Sequence, residues 1–232
     1  GAQEIVTAWR GLADVPCFAA KEAGMLIDWC AHSEMLVSAG DWSVVSLWDA
    51  AYEKCTQLIE TGSDSVCVSS LSHAPFHESL LVCGFGSGSV CLYDVRNSRA
   101  VMTLSDHQSW VLKTRIQSNS NGMLVSGSVD GAIKQWDLRK GHNVLSSVAH
   151  SPNQQMSALA IHNYAPLIAS GTRFQELVLS YQADGRPLST VQYHEGFLGQ
   201  RIGPVNCLTF HPHETVLAAG GADSIVSVYR IG

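Results

Sequence analysis

The sequence is poor in charged and aromatic residues, and its charges are scattered. Charged residues make up 15% and aromatic residues 8% of the 232 residues, whereas an average soluble domain carries about 25% charged residues. The net charge is −6 and no run of five like charges occurs. This argues against a dedicated nucleic-acid or anionic-membrane binder, because such proteins carry a basic stripe. No apolar stretch approaches the ~20 residues of a membrane span, and the N-terminal residues lack the order of a signal peptide.

The seven cysteines include no Cys-x-x-Cys pair, so a cysteine zinc site is not expected. Cys67, Cys83 and Cys91 lie within apolar alternation, where a thiol acts as a small core residue. We therefore expect a reduced, cytoplasmic protein with no disulfide framework, no metal and no cofactor. Hydrophobic residues reach 46%, which is typical of an ordered chain with a large core.

Five segments repeat one pattern, in which a short apolar run is followed by a Gly/Ser/Asp turn, alternating residues and an aromatic residue. They are 35–49, 80–94, 123–137, 166–182 and 216–230, and they end near Trp48, Tyr93, Trp136, Tyr181 and Tyr229, at spacings of 45, 43, 45 and 48 residues. Another apolar strand precedes each segment, and a weaker strand follows the first four. Four short strands in about 45 residues is the size of one blade of a β-propeller.

The sequence therefore predicts an all-β propeller with five recognisable four-stranded blades. The predicted blades are 24–62, 63–105, 106–149, 150–194 and 195–232, and residues 1–13 supply a strand of a preceding or closing blade. Two blade counts remain open. The strand Ile5–Trp9 could complete the fifth unit and close a ring of five, which would remove exposed sheet edges. Alternatively, the chain is part of a larger propeller, for which the family resemblance given below implies seven blades.

The third unit carries the most complete motif. It contains Asp106-His107, then Ser126, then Asp130-Gly131 in a turn, and it ends on Trp136-Asp137. These residues resemble those of WD40 repeats. The resemblance implies a structural tetrad in which His107, Ser126, Asp130 and Trp136 hydrogen-bond to one another. The turns of units one, two and four depart from the motif, so we expect those blades to lack the full tetrad.

Three patterns have a chemical interpretation beside the structural one. His107, Ser126 and Asp130 are the residue types of a hydrolase triad, but no Gly-x-Ser-x-Gly elbow surrounds the serine. The segment 84–88 is glycine-rich like a phosphate loop, but it opens no helix and no Gly-Lys-Ser/Thr follows. The pairs His73/His77 and His211/His213 have no further ligand at metal-binding spacing. We therefore expect no catalytic and no metal-binding residues.

A loop between the fourth and fifth units breaks the period. It contains a candidate set of partner-contact residues, namely Tyr193, Phe197, Leu198, Gln200 and Arg201. Packing of its apolar residues onto the propeller rim is the favoured interpretation, and a partner contact is the other, because aromatic residues and arginine are the usual anchors of protein interfaces. The segment 9–24 is a second candidate, with the same two interpretations.

Three stretches also resemble one WD-repeat family more closely. Residues 193–213, residues 4–12 leading to 24–29, and residues 219–229 are similar to the C-terminal blades of the Raptor family, the regulatory scaffolds of TOR complex 1. The resemblance implies a non-enzymatic cytoplasmic scaffold module whose partners are proteins of that complex: the TOR kinase, its substrates or its regulators. It leaves open recruitment to the lysosomal or vacuolar membrane through those partners. It also favours the seven-bladed count, because it aligns Ile5–Trp9 with an internal blade.

A WD-repeat substrate receptor of another complex, such as a ubiquitin ligase, is the alternative. Such a receptor would read a peptide with a ring of arginine and aromatic residues at the mouth of the central channel. The 14 lysines and arginines of this chain make no such ring apparent in the sequence.

Overall fold

The computed structural model describes seven ranges of the chain, and they consist of β-structure. These ranges are residues 24–30, 34–62, 67–74, 77–117, 122–150, 154–192 and 203–231. The predicted strand Ile5–Trp9 and the predicted contact loop 193–201 lie outside them. Within them, the regular structure consists of nineteen β-strands, which confirms the all-β prediction. The described residues accordingly contain no helix that could cross a membrane.

The strands form five antiparallel sheets, here called blades 1 to 5, in which the strands follow one another in chain order. Blades 1 to 4 have four strands each, and the described part of blade 5 has three. The strands are β1 (Met25–Cys30), β2 (Met35–Gly40), β3 (Val44–Asp49) and β4 (Lys54–Glu60) in blade 1; β5 (Val68–Ala74), β6 (His77–Phe85), β7 (Val90–Asp94) and β8 (Arg99–Leu104) in blade 2; β9 (Val111–Ile116), β10 (Met123–Ser128), β11 (Ala132–Asp137) and β12 (His142–Val148) in blade 3; β13 (Met156–Ile161), β14 (Leu167–Thr172), β15 (Glu176–Tyr181) and β16 (Pro187–Gln192) in blade 4; and β17 (Val205–Phe210), β18 (Val216–Gly221) and β19 (Val226–Arg230) in blade 5.

One irregularity recurs at the same place in blades 1 to 4. A β-bulge interrupts the pairing of the third and fourth strands beside Trp48, Tyr93, Trp136 and Ser180. In blade 4 this repeat position therefore holds Ser180, whereas the sequence pattern selected Tyr181. Because successive residues of a strand point to opposite faces, the two positions differ in their surroundings. Tyr181 is 38% exposed and Trp136 is 3% exposed.

The first strands of successive blades lie next to one another. β1 contacts β5, β5 contacts β9, β9 contacts β13, and β13 contacts β17. These strands are therefore innermost, and the blades are arranged around an axis as in a propeller. Four hydrophobic clusters fill the spaces between neighbouring blades. Because the central blades are covered on both faces, a strand such as β14 is buried along its whole length, which accounts for its continuous run of small and apolar residues.

The outward faces of blades 1 and 5 carry exposed apolar side chains. On β1, Ile27 is 58% exposed, and on β19, Val226 is 71% exposed. No hydrophobic cluster of the described residues joins blade 1 to blade 5. The number of blades in the closed ring stays a prediction.

Candidate functional site

Ser126 is the centre of a buried hydrogen-bond network in blade 3. Trp136 Nε1 on β11 donates to Ser126 Oγ on β10 at 2.8 Å, and Ser126 Oγ shares a hydrogen bond of 2.7 Å with His107 Nε2. Lys134 Nζ donates to the carboxylate of Asp106 at 2.8 Å, which ties the turn before β9 to β11 and so positions His107. The structure thus brings together three of the four predicted tetrad residues.

Asp130 does not belong to this network, which corrects the expectation of four hydrogen-bonded residues. Its carboxylate accepts hydrogen bonds from Ser128 Oγ and from the backbone N–H of Ala132, both at 2.9 Å. Asp130 is exposed, and among the described residues His107 Nδ1 has no hydrogen-bond partner. The physical reason is local: Asp130 Oδ1 accepts both hydrogen bonds within its own turn, and the rest of the exposed carboxylate can bond to solvent without an imidazole donor.

The Ser126 network (His107, Ser126 and Trp136) is enclosed, and this limits its chemistry. Ser126 is fully buried, and His107 is 5% exposed. Burial lowers the pKa of His107 to about 4, and the nearby charge of Lys134 adds to this lowering, so the ring is neutral at physiological pH. A serine that substrate cannot reach does not act as a nucleophile, and the geometry fits a structural role.

Blade 4 has a different polar network at the corresponding place. His150, which precedes β13 as His107 precedes β9, bonds through Nδ1 to Glu176 Oε2 at 2.9 Å. Gln192 Nε2 on β16 donates to the other oxygen of Glu176 at 2.6 Å. Ser170 aligns with Ser126, but its hydroxyl only donates to the Val178 carbonyl, at 3.4 Å. Sequence reasoning missed Glu176. The turn of the fourth unit lacks the aspartate that Asp130 supplies in the third, and the acidic residue at the end of that turn could have indicated a substitute.

The other blades keep only parts of the motif. In blade 1, Trp48 Nε1 donates to Ser38 Oγ at 3.2 Å. In blade 2, the serine position holds the fully buried Cys83, and burial raises the pKa of its thiol above the usual range. Blade 5 has Ala219 at this position. Each departure removes a donor or acceptor from the sheet interior, and each blade thereby keeps a different set of polar contacts.

The glycine-rich segment of blade 2 is a tightly packed hairpin. A Cβ on Gly84 would lie 2.6 Å from the Val111 side chain, and one on Gly88 would lie 2.4 Å from the carbonyl oxygen of His107. Gly88 also has a φ of +88°, which favours glycine. These glycines allow blade 2 to approach blade 3 closely, and the chain opens no helix here.

Three histidines, His73, His162 and His211, hydrogen-bond to other groups of the chain. His162 and His211 follow the first strands of blades 4 and 5. The Nδ1 atom of each accepts from the backbone N–H groups two and three residues ahead, at 2.9 to 3.3 Å. His73 Nδ1 bonds to Asp28 Oδ2 at 2.7 Å. In the described part of the chain, no three His, Cys, Asp or Glu residues are grouped so as to hold a metal ion.

The innermost strands of blades 3, 4 and 5 line a cavity of about 150 Å³, here called the channel cavity. Two cations, Lys113 and Arg115 of β9, form one wall. Loss of hydration beside the protein lowers the pKa of both cations, and the charge of Arg115 lowers the pKa of Lys113 further. The negative charge of Asp28 raises both pKa values and so opposes this effect. Sequence reasoning missed this pair, although two cations in alternation on a first strand were visible in the segment 110–116.

The rim of the channel cavity carries an aromatic stack. Asn163 and Pro212, which follow β13 and β17, line the cavity, and the next residue of each loop takes part in the stack. The rings of Tyr164 and His213 lie 5.7 Å apart with an angle of 18° between their planes. Tyr164 is half exposed, so the rim presents an aromatic surface beside the two cations.

The predicted contact residues Tyr193, Phe197, Leu198, Gln200 and Arg201 lie outside the described residues, as do residues 9–23 of the second candidate segment. The structure describes the strands on either side of the loop, β16 and β17, which belong to neighbouring blades. The loop therefore connects blade 4 to blade 5. Its role as an interface stays a prediction.

Comparison with known proteins assigns the repeat. The family model described as "WD domain, G-beta repeat" matches residues 98–137 and 185–230. The chain is 34% identical to the protein raptor homolog of Dictyostelium discoideum, in an alignment that covers 98% of this chain and 15% of that protein. It is 31% identical to the target of rapamycin complex 1 subunit mip1 of Schizosaccharomyces pombe, over 97% of this chain and 17% of that protein.

A solved structure agrees with the sequence comparison. The crystal structure of Chaetomium thermophilum Raptor superposes with a TM-score of 0.79 and 27% identity, over 90% of this chain and 20% of that one. The chain corresponds to the WD-repeat region of Raptor proteins. The Raptor-type region spans 15–17% of the length of the curated relatives named above. The first of the two family-model matches includes all of the Ser126 network.

Proposed function

We propose that this Raptor-type region is a non-enzymatic scaffold module of TOR complex 1. The observation that carries the proposal is the similarity to a TOR complex 1 subunit along 97% of the chain. The architecture supports it, because rigid sheets joined by four buried clusters can hold many loops in fixed positions for partners. The enclosure of Ser126 and His107 supports a role without catalysis. We place the module in the cytoplasm, from which its partners would recruit it to the lysosomal or vacuolar membrane.

Affinity purification of the tagged chain from cells, followed by quantitative mass spectrometry, tests the proposal. We expect recovery of TOR kinase and other TOR complex 1 subunits above a tag-only control. Recovery of a cullin adaptor in their place would support the ubiquitin-ligase alternative and contradict the scaffold assignment. Absence of any TOR complex 1 subunit from a chain that melts cooperatively would also contradict it.

Two double variants test the predicted contact loop in the same experiment. Phe197→Ala with Arg201→Ala removes the loop's aromatic and cationic anchors. Arg173→Ala with Phe174→Ala makes the same chemical change at an exposed turn of blade 4 and serves as the matched control. If the loop is an interface, the first variant should recover about tenfold less of the complex, and the control should recover the wild-type amount. Equal recovery by both variants would show that the loop only connects the blades and does not contact the complex.

A further inference from the structure

We propose that the channel cavity binds an extended acidic segment of a partner protein, with two carboxylates on Lys113 and Arg115. The inference deepens the proposed scaffold role, because it names the chemistry of one partner segment and the place where it binds. The inference depends on the proposed scaffold role in one respect: the acidic segment belongs to another protein that binds this chain.

The two cations have no directly paired counter-ion. Neither Lys113 nor Arg115 makes an ion pair or hydrogen bond with any described residue. The charge of the Asp28 carboxylate acts on both, and this carboxylate is hydrogen-bonded to the ring and the backbone N–H of His73 at 2.7 and 3.1 Å. In a chain of net charge −6, two neighbouring cations on a concave wall form a local positive field. Such a field attracts anions and orients them.

The spacing of the cations selects an extended peptide. Lys113 and Arg115 are two residues apart on β9, so their side chains leave the same face of the strand about 6.6 Å apart along it. Glutamate or aspartate residues at positions i and i+2 of an extended peptide have the same separation. Two carboxylates separated by one residue therefore match the pair, and a guanidinium can bind one of them through two hydrogen bonds.

The rest of the cavity suits a peptide better than a small free anion. Ile161, Phe210 and Pro212 give it apolar walls, and the Tyr164–His213 stack lies at its rim. In addition, β9 and β13 each pair with a neighbouring strand on one side only. The edge of β9 is already bonded to blade 2, because the Thr114 N–H donates to Ser70 Oγ and the Val111 carbonyl accepts from Ser69 Oγ. It is therefore the edge of β13 that offers backbone groups of the kind that an added peptide strand uses.

Isothermal titration calorimetry at low ionic strength tests the proposal with the full 232-residue chain. The probe is acetyl-Gly-Glu-Leu-Glu-Gly-amide, and its Gln-Leu-Gln counterpart is the uncharged control. We expect the Glu peptide to bind at least about tenfold more tightly than the Gln peptide. Lys113→Met with Arg115→Met should abolish this difference. Arg139→Met with Lys140→Met removes the same charge from an exposed turn and should leave the binding unchanged.

Several outcomes would overturn the proposal. These are equal affinity for the Glu and Gln peptides, wild-type binding by the Lys113/Arg115 variant, or an equal loss in the Arg139/Lys140 variant. Binding of inorganic phosphate as tight as that of the Glu peptide would show a general anion site.

The melting temperature separates binding from a structural role. If Lys113 and Arg115 only stabilised the fold, their removal would lower the melting temperature, whereas we expect it to stay equal or rise. If the double variant does not fold, the single variant Lys113→Gln is titrated instead, and it must bind the Glu peptide more weakly than the wild type does. Because no TOR complex 1 component is present, failure here is distinct from failure of the purification.

Discussion

Blades 3 and 4 satisfy the same demand with different chemistry. In blade 3, a neutral imidazole bonds to a serine hydroxyl that also accepts from a tryptophan N–H. In blade 4, the imidazole of His150 bonds to a carboxylate, that of Glu176, which a glutamine amide holds from its other side. In both blades the histidine and its first partner are buried.

The difference teaches that in blades 3 and 4 the buried histidine needs a hydrogen-bond partner on one ring nitrogen, and that the partner need not be a particular residue type. A buried imidazole without a partner is costly. Either a hydroxyl or a carboxylate removes that cost, and the two fix different strands. Ser126 joins β10 to β11 through Trp136, whereas Glu176, the first residue of β15, joins β15 to β16 through Gln192. Blades that look degenerate by the WD motif can therefore be held by substitutes.

Removal of the blade 4 carboxylate should produce the largest effect. Glu176→Ala leaves His150, whose Nε2 already has no described partner, without its Nδ1 partner, and it also frees the amide of Gln192. We expect a loss of about 3 kcal/mol in the free energy of unfolding, measured by urea denaturation. Glu176→Gln keeps a carbonyl oxygen for His150 and should lose about 1 kcal/mol. If Glu176→Ala loses less than about 1 kcal/mol, the carboxylate does not support blade 4.

The buried histidine of blade 3 should make stability depend on pH. Burial lowers the pKa of His107 from 6.5 to about 4 in the folded chain, so between these values the unfolded state binds the proton more readily. The stability is therefore full above pH 6.5 and is lost as the pH falls toward 4. The contribution lost between about pH 7.5 and about pH 4.5 is about 2.5 kcal/mol.

The His107→Asn variant isolates this contribution. Urea denaturation of the wild type and of His107→Asn at about pH 7.5 and about pH 4.5 measures the free energy of unfolding lost between the two pH values. We expect this loss to be about 2.5 kcal/mol smaller in the variant. Identical pH dependence in the variant and the wild type would mean that His107 is not held neutral by its enclosure.

The serine position distinguishes the two blades directly. Ser126→Ala leaves both Trp136 Nε1 and His107 Nε2 without partners and should cost about 2 kcal/mol. Ser170→Ala, at the aligned position in blade 4, loses one long hydrogen bond of 3.4 Å and should cost less than about 0.5 kcal/mol. The matched pair is compared by melting temperature and by urea denaturation. Equal losses would remove the distinction between a serine-centred and a carboxylate-centred blade.

The fold followed from the sequence because its signal is repeated five times. Alternation, turn residues and a constant period located the strands, and the WD motif identified the Ser126 network. Tyr181 was misplaced because the aromatic residue lies one residue beyond the bulge position, and a shift of one residue exchanges the two faces of a strand. Lys113 and Arg115 were missed because a channel wall exists only once blades 3, 4 and 5 are assembled.

Asp130 is the residue that the family motif placed in the network and that the structure leaves outside it. If Asp130 bonded to His107, its removal would leave a buried imidazole unsatisfied and cost about 1–3 kcal/mol. In the structure it accepts from the Ser128 hydroxyl and from the Ala132 N–H within one turn, so Asp130→Ala should cost about 1 kcal/mol, the loss of these two turn contacts. Asp130→Asn keeps one acceptor and should be closer to wild type. A loss comparable to that of Ser126→Ala would return Asp130 to the network and make blade 3 a complete tetrad.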